Sequence, residues 1–134
     1  MISHSQTVRV RYGETDKMGY VYYGNYALYY EIGRNELMRI LDFPYSKIEE
    51  MGVLLAISQM NCKYFKPAHY DDNITIKSYI KSKPSAKIRF EHEIYNQNEE
   101  LLNKGYTDLV FIDKVKRLPV RPPKALYNLF ENYF

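Results

Sequence analysis

The chain has 134 residues, 46% of them hydrophobic and 26% charged, which suits one domain spanning residues 1–134 and excludes a disordered tail, a collagen-like chain and a disulfide scaffold. Nineteen Lys and Arg against sixteen Asp and Glu leave a net charge of +3, with the basic residues scattered, so no nucleic-acid partner is expected. No apolar run approaches the ~20 residues of a membrane-spanning helix, Met1–Arg11 lacks the apolar core of a signal peptide, and the single Cys62 allows no intrachain disulfide; the expectation is a cytoplasmic protein without stable membrane insertion.

Gln6–Tyr12 alternates Val8, Val10 and Tyr12 with Thr7, Arg9 and Arg11, the period of a half-buried strand. The next residues, Gly13-Glu14-Thr15-Asp16-Lys17-Met18-Gly19, carry the glycines and short polar side chains of an ordered loop. From Asn25, a candidate N-cap, to about Leu41 the apolar residues Ala27, Tyr30, Leu37, Met38 and Leu41 recur at three and four, which predicts a helix. Leu28, Ile32 and Ile40 extend its apolar character to a second face, and Glu31–Arg34 and Glu36–Arg39 are spaced to pair along the remainder. Ser46–Met51 predicts a further short turn of helix.

After Gly52 the period changes to two. Strands are predicted over Val53–Lys66, Asn73–Lys81, Ala86–Tyr95 and Lys104–Lys114. Ser82–Ser85 and Asn96–Glu99 have hairpin length, so the pairing should be antiparallel. Pro122-Pro123 then leads into a short C-terminal helix through Leu126, Leu129 and Phe130. Strand, long apolar helix and about four antiparallel strands make an α+β layout, with the helix against one sheet.

Few residues are placed for chemistry. His4, His69 and His92 are far apart, and strand alternation turns His92 away from Glu91 and Glu93, so no metal site is expected. Cys62 lies in a predicted strand without a neighbouring base, and no glycine-rich nucleotide loop occurs. The remaining feature is Asp16, held in a glycine-bracketed loop shortly before a helix N-terminus. Backbone N–H groups there favour developing negative charge, so a carbonyl bound at Gly24 and Asn25 would be polarised while Asp16 acts on its carbon. Acyl transfer is the class this arrangement serves. The alternative is that Asp16 caps a turn and Gly24-Asn25 only starts the helix.

The run Arg9-Val10-Arg11-Tyr12-Gly13-Glu14-Thr15-Asp16, followed by Gly19-Tyr20-Val21-Tyr22-Tyr23-Gly24-Asn25-Tyr26, Tyr30-Glu31 and Arg34, strongly resembles the N-terminal motif of the 4-hydroxybenzoyl-CoA thioesterase family, which includes the Tol-Pal-associated acyl-CoA thioesterases. A weaker resemblance continues through Tyr64-Phe65-Lys66-Pro67-Ala68 and Tyr70-Asp71-Asp72. It implies the hot-dog fold, a long central helix wrapped by a curved antiparallel sheet, and hydrolysis of an acyl-CoA, or an acyl carrier protein thioester, without metal or cofactor. Asp16 would be nucleophile or general base. The backbone N–H of Tyr23, with Gly24 beside it, would bind the thioester oxygen. Tol-Pal-type members carry histidine at this position, so the role implied for Tyr23 rests on its amide. Tyr12 matches a tyrosine implicated in some members, its hydroxyl orienting the carboxylate or a water.

The resemblance also implies a homodimer or homotetramer, with residues from Leu55 to Met60 of a second copy lining the acyl tunnel. Lys63, Lys66, Lys81, Lys83, Lys87 and Arg89 are the cations available for CoA phosphates. Two other readings keep the fold: a dehydratase or hydratase, which would need a histidine that the motif lacks, and a non-catalytic acyl-ligand binding module, which would not need Asp16.

Overall fold

Each alternating run becomes a strand, and the strands form one antiparallel sheet. In the computed structural model, which describes residues 1–134, β1 covers Ile2–Arg9, α1 Tyr26–Ile40, α2 Tyr45–Glu50, β2 Val53–Tyr64, β3 Asn73–Ile80, β4 Lys87–Tyr95, β5 Leu101–Asp113 and α3 Lys124–Glu131. The strand order is β1-β3-β4-β5-β2. The predicted hairpins at 82–85 and 96–99 join true neighbours, whereas β2 and β3, consecutive in sequence, do not pair. After β2 the chain crosses the sheet, so that β1 and β2 become its two edges. Helix α1 packs against β1, β3 and β4, and α2 against β2. This helix-against-sheet arrangement is the hot-dog fold.

Alternation explains the burial. Ile74, Ile76 and Ile80 of β3 and Ile88, Phe90 and Ile94 of β4 all turn inward and are buried. They belong to two apolar clusters. One gathers Leu37, Met38, Phe43, Ile80, Phe90, Phe111, Leu126 and Phe130; the other gathers Val10, Val21, Tyr26, Tyr29, Ile74 and Ile94 beside the long loop. Buried polar groups also form a chain across the sheet: His92 is hydrogen-bonded through Nδ1 to Ser78 (3.2 Å) and through Nε2 to Thr107 (3.1 Å). Its ring stacks on Tyr30 at 4.2 Å, and the Tyr30 hydroxyl donates to Asn103 at 2.8 Å. Burial, and secondarily the charge of Arg34, lower the His92 pKa to about 3, so it is a neutral member of the core.

The structure corrects several local expectations. The first strand begins at Ile2 and ends at Arg9, because Val10 bonds instead to the backbone of Asp71 and Asp72 (Val10 N–H to Asp72 O, 2.9 Å; Asp71 N–H to Val10 O, 3.0 Å). Tyr12 therefore lies in a 3-10 turn, 76% exposed. Arg34 does not pair with Glu31; it turns inward, buried, and donates from Nε to the Tyr45 hydroxyl at 3.0 Å. The second apolar face of α1 is left largely open, with Leu28 55% and Ile40 56% exposed.

On β5, Asp108 is buried beneath Arg89, which donates to it twice (2.7 and 2.8 Å), and Lys87 (3.4 Å). The Arg89 hydrogen bonds outweigh desolvation and hold the Asp108 carboxyl below its usual value. A carboxyl depressed in the folded state adds stability that is complete above its unfolded pKa and lost as pH falls through the folded one. Urea midpoints should thus fall steeply below about pH 4, and Asp108→Asn should flatten that acid limb while lowering the midpoint at pH 7. An unchanged acid limb in the variant would refute this role.

Candidate active site

The loop between β1 and α1 is built around hydrogen bonds from its own polar residues. Glu14 accepts the Arg11 N–H (2.8 Å), closing the 3-10 turn Tyr12–Glu14. The chain then doubles back in a small hairpin, in which Asp16 N–H donates to Tyr20 O at 2.7 Å and Gly19 N–H to Asp16 O at 3.0 Å. Gly19 supplies the left-handed φ of 80° that this turn needs. Val21 N–H to Ala68 O (2.8 Å) ties the hairpin to the segment after β2.

Asp16 is exposed at the head of this hairpin. Its Oδ1 accepts the backbone N–H groups of Met18 (2.9 Å) and Tyr20 (3.3 Å), while Oδ2 accepts nothing from the chain. One Asp16 oxygen thus caps a turn, and the other carries no bond from the chain. Asp16 lines a cleft of about 350 Å³ together with Tyr20, Tyr23, Tyr26, Tyr64, Phe65 and Lys66. The cleft is strongly aromatic. Tyr26 and Tyr64 pack with ring centroids 5.4 Å apart, and partial burial, helped by Cys62, pushes the Tyr64 hydroxyl pKa up to about 12. At neutral pH that phenol is protonated.

Tyr23–Asn25 form a single 3-10 turn that leads into α1. Asn25 sits at the N-cap position of α1 but makes no capping bond there; its Nδ2 donates to the Glu14 carbonyl at 2.8 Å. The amides of Tyr23 and Gly24 make no hydrogen bond to any acceptor in the chain, whereas those of Tyr22 and Asn25 on either side are bonded, to Glu14 O and Tyr22 O, both at 2.9 Å. Two adjacent unbonded N–H groups at a helix entry form a donor pair suited to an oxyanion. Tyr12 stands apart from this pair. Its ring packs edge-on against Tyr70 at 5.5 Å and it makes no hydrogen bond to Asp16, but it lines a second cleft together with Asp16, Thr15, Lys17, Gly19 and Tyr70.

The cations named for phosphate binding do not converge. Lys66 pairs with Glu100, Lys81 with Glu91, Lys83 with Glu131, and Lys87 and Arg89 with Asp108; Lys63 lies over the Phe65 ring. Of the six, only Lys66 borders the Asp16 cleft. No group of three His, Cys, Asp or Glu side chains stands close enough to hold a metal ion.

With this geometry in place, sequence comparison becomes decisive: a model of the thioesterase-like superfamily matches residues 10–130. The chain belongs to that superfamily. YneP of Bacillus subtilis, provisionally named an acyl-CoA thioesterase, is 36% identical over 118 residues, 88% of this chain and 86% of that protein. The acyl-CoA thioester hydrolase YbgC of Escherichia coli O6:H1 is 32% identical over 124 residues, 92% of each chain. Among solved structures, a DHNA-CoA thioesterase from Staphylococcus aureus superposes with a TM-score of 0.92 at 30% identity, covering 99% of this chain and 89% of that one. No helix of this superfamily member is long and apolar enough to cross a membrane.

The residue that the motif analysis passed over is Glu14. Its side chain is mostly buried and fully engaged, accepting the Tyr29 hydroxyl at 2.9 Å and the Arg11 guanidinium at 3.1 and 3.2 Å besides the Arg11 amide. Burial alone would raise its pKa, but the bonds from the Arg11 amide, Tyr29 and the Arg11 side chain together lower it. The one available sequence signal was its position three residues after Arg11, the spacing of a capping contact.

Proposed function

We propose that this protein hydrolyses acyl-CoA thioesters to the free acid and CoA, with Asp16 as the reacting carboxylate and the Tyr23 and Gly24 amides as oxyanion donors. The observation that carries this reading is a cleft lined by both Asp16 and Tyr23, supported by an Asp16 oxygen that accepts nothing from the chain and by two adjacent amides, of Tyr23 and Gly24, without an acceptor. Two routes use the same atoms. Oδ2 attacks the thioester carbon, the C–S bond breaks, CoA leaves as thiolate, and water hydrolyses the resulting anhydride; or Oδ2 takes a proton from water as the water oxygen attacks, and the proton passes to the departing sulfur. In both, negative charge grows on the carbonyl oxygen, where the amides are worth most. The relatives named as acyl-CoA thioesterases support the reaction class.

The test is release of free thiol from a panel of aliphatic and aromatic acyl-CoAs and acyl carrier protein thioesters. Turnover of at least one member at the expense of its thioester is expected. Absence of thiol release across the panel would defeat the proposal.

The working unit in this reading is a dimer. Strand β2 is a sheet edge whose outer hydrogen-bonding groups have no partner strand, and residues 56–61 are exposed on both faces, Ile57 by 50% and Met60 by 37%. Pairing with a second copy would cover this edge. Sedimentation at low micromolar concentration should therefore show a species of at least twice the 16.0 kDa chain mass. A single 16.0 kDa species would remove the dimer.

A further inference from the structure

We infer that Glu14 is the positioning residue of the oxyanion donors: it fixes the orientation of the Tyr23–Gly24 peptide by holding both sides of it to one point. This rests on the thioesterase reading. The Glu14 carbonyl accepts the Tyr22 N–H at 2.9 Å and the Asn25 Nδ2 at 2.8 Å, so the residues immediately before and after the two unbonded amides are pinned to the same oxygen. The position of that oxygen is set by the Glu14 side chain. Its Oε1 takes the Arg11 amide (2.8 Å) and the Tyr29 hydroxyl (2.9 Å), which links the start of the loop to the first turn of α1. Tyr29 is itself buried and packed edge-on against Tyr26, 5.9 Å away, on the cleft wall.

A carboxylate with every bond already committed is a poor proton acceptor for substrate, so Glu14 is not a second catalytic acid or base. Its contribution is pre-organisation. Donors that must face a developing oxyanion act fully only when they need no rearrangement at the moment of reaction, and within the turn the two peptides are held only through their carbonyls, Tyr22 O by the Asn25 N–H (2.9 Å) and Tyr23 O by the Tyr26 N–H. The Glu14 brace adds resistance to rotation from both flanks of that turn.

The test compares Glu14→Ala, Glu14→Gln and Tyr29→Phe. Glutamine keeps an Oε1 acceptor for the Arg11 amide and the Tyr29 hydroxyl and gives up only the pairing with the exposed Arg11 guanidinium, so it should retain kcat within about threefold. Alanine should lower kcat by roughly 10- to 100-fold, while the Kd of a non-hydrolysable S-alkyl-CoA thioether, which has no carbonyl to polarise, stays within about threefold. Tyr29→Phe should fall between the two, and it serves in place of the alanine variant should that protein not fold. Independently of turnover, the ¹⁵N–¹H signals of Tyr23 and Gly24 should move in Glu14→Ala and stay in place in Glu14→Gln. Unmoved amide signals, an unchanged kcat in Glu14→Ala, or equal losses of kcat and thioether affinity would each overturn the positioning role. An inactive wild type with moving amide signals would overturn the thioesterase reading instead and leave the brace established.

Discussion

Asp16→Asn is expected to lower turnover by about 10²–10⁴-fold, the range for loss of a positioned general base, while leaving the folded protein intact. The structure explains why the two effects separate. Asparagine retains an Oδ1 that can accept the Met18 and Tyr20 amides, so the hairpin around it keeps its bonds, and only the anionic Oδ2 is lost. Tyr23→Phe provides the contrast. The ring of Tyr23 is exposed and packs against Tyr22 at 4.8 Å, and the substitution leaves its backbone N–H in place, so activity should change by less than about tenfold, or 1.4 kcal/mol. Steady-state kinetics on one acyl-CoA at saturation would measure both. Near wild-type turnover in Asp16→Asn would reduce Asp16 to a turn cap; an equal loss in Tyr23→Phe would bring the phenol into the chemistry.

The largest stability effect is expected away from the cleft, at Gly105. It sits in β5 opposite Cys62 of β2 and His92 of β4, and a Cβ at this position would lie 2.0 Å from the Asn61 carbonyl oxygen and 3.0 Å from the Cys62 Cα. Those are backbone atoms of a paired strand, which cannot rotate aside as a side chain can. Gly105→Ala must push β2 away from β5 in mid-ladder, and overpacking of this kind costs about 1–3 kcal/mol. Gly13→Ala is the control, because nothing lies within 4 Å of its would-be Cβ. Equilibrium urea unfolding should show a clear drop in midpoint for the first and little change for the second. Equal midpoints would mean that the β2–β5 ladder yields without cost.

Much of this architecture is legible in the residue order because burial on one face imposes a period. Ile74, Ile76 and Ile80, or Ile88, Phe90 and Ile94, declare their strands and their inward face without reference to anything distant. The same logic fails wherever the partner is remote. Nothing near Val53–Tyr64 says that this strand passes its sequence neighbour β3 to pair with β5, since alternation does not name a partner. Arg34 reads as a surface residue beside Glu31 until α2 brings the Tyr45 hydroxyl over it. At the candidate site, the motif points to Asp16 and the Tyr23–Gly24 segment, and Asp16 and Tyr23 line one cleft. Tyr12 reads as the end of a strand because the alternation runs on past Arg9, where the backbone of Asp71 and Asp72 takes over the pairing. Glu14 was missed because its partners, Arg11, Tyr22, Asn25 and Tyr29, meet only after the loop has folded back on the helix.

Alternation specifies which face of a strand is inside, but it is blind to a slip of two residues, which returns every side chain to the same face. The inner rows of β3 and β4 are mostly isoleucine, so sliding one past the other would exchange one apolar contact for another at small cost. Ser78 and His92 remove that freedom. They are directly opposite in the β3–β4 register, and a two-residue shift would set Ser78 against Phe90 or Ile94 and leave buried ring nitrogen and hydroxyl without partners, at about 1–3 kcal/mol for each orphaned group. Thr107, on the other ring nitrogen, imposes the same condition on β5. The polar chain through the core therefore works as an alignment key: three side chains that contribute little to net burial decide which of several nearly equivalent pairings the sheet adopts.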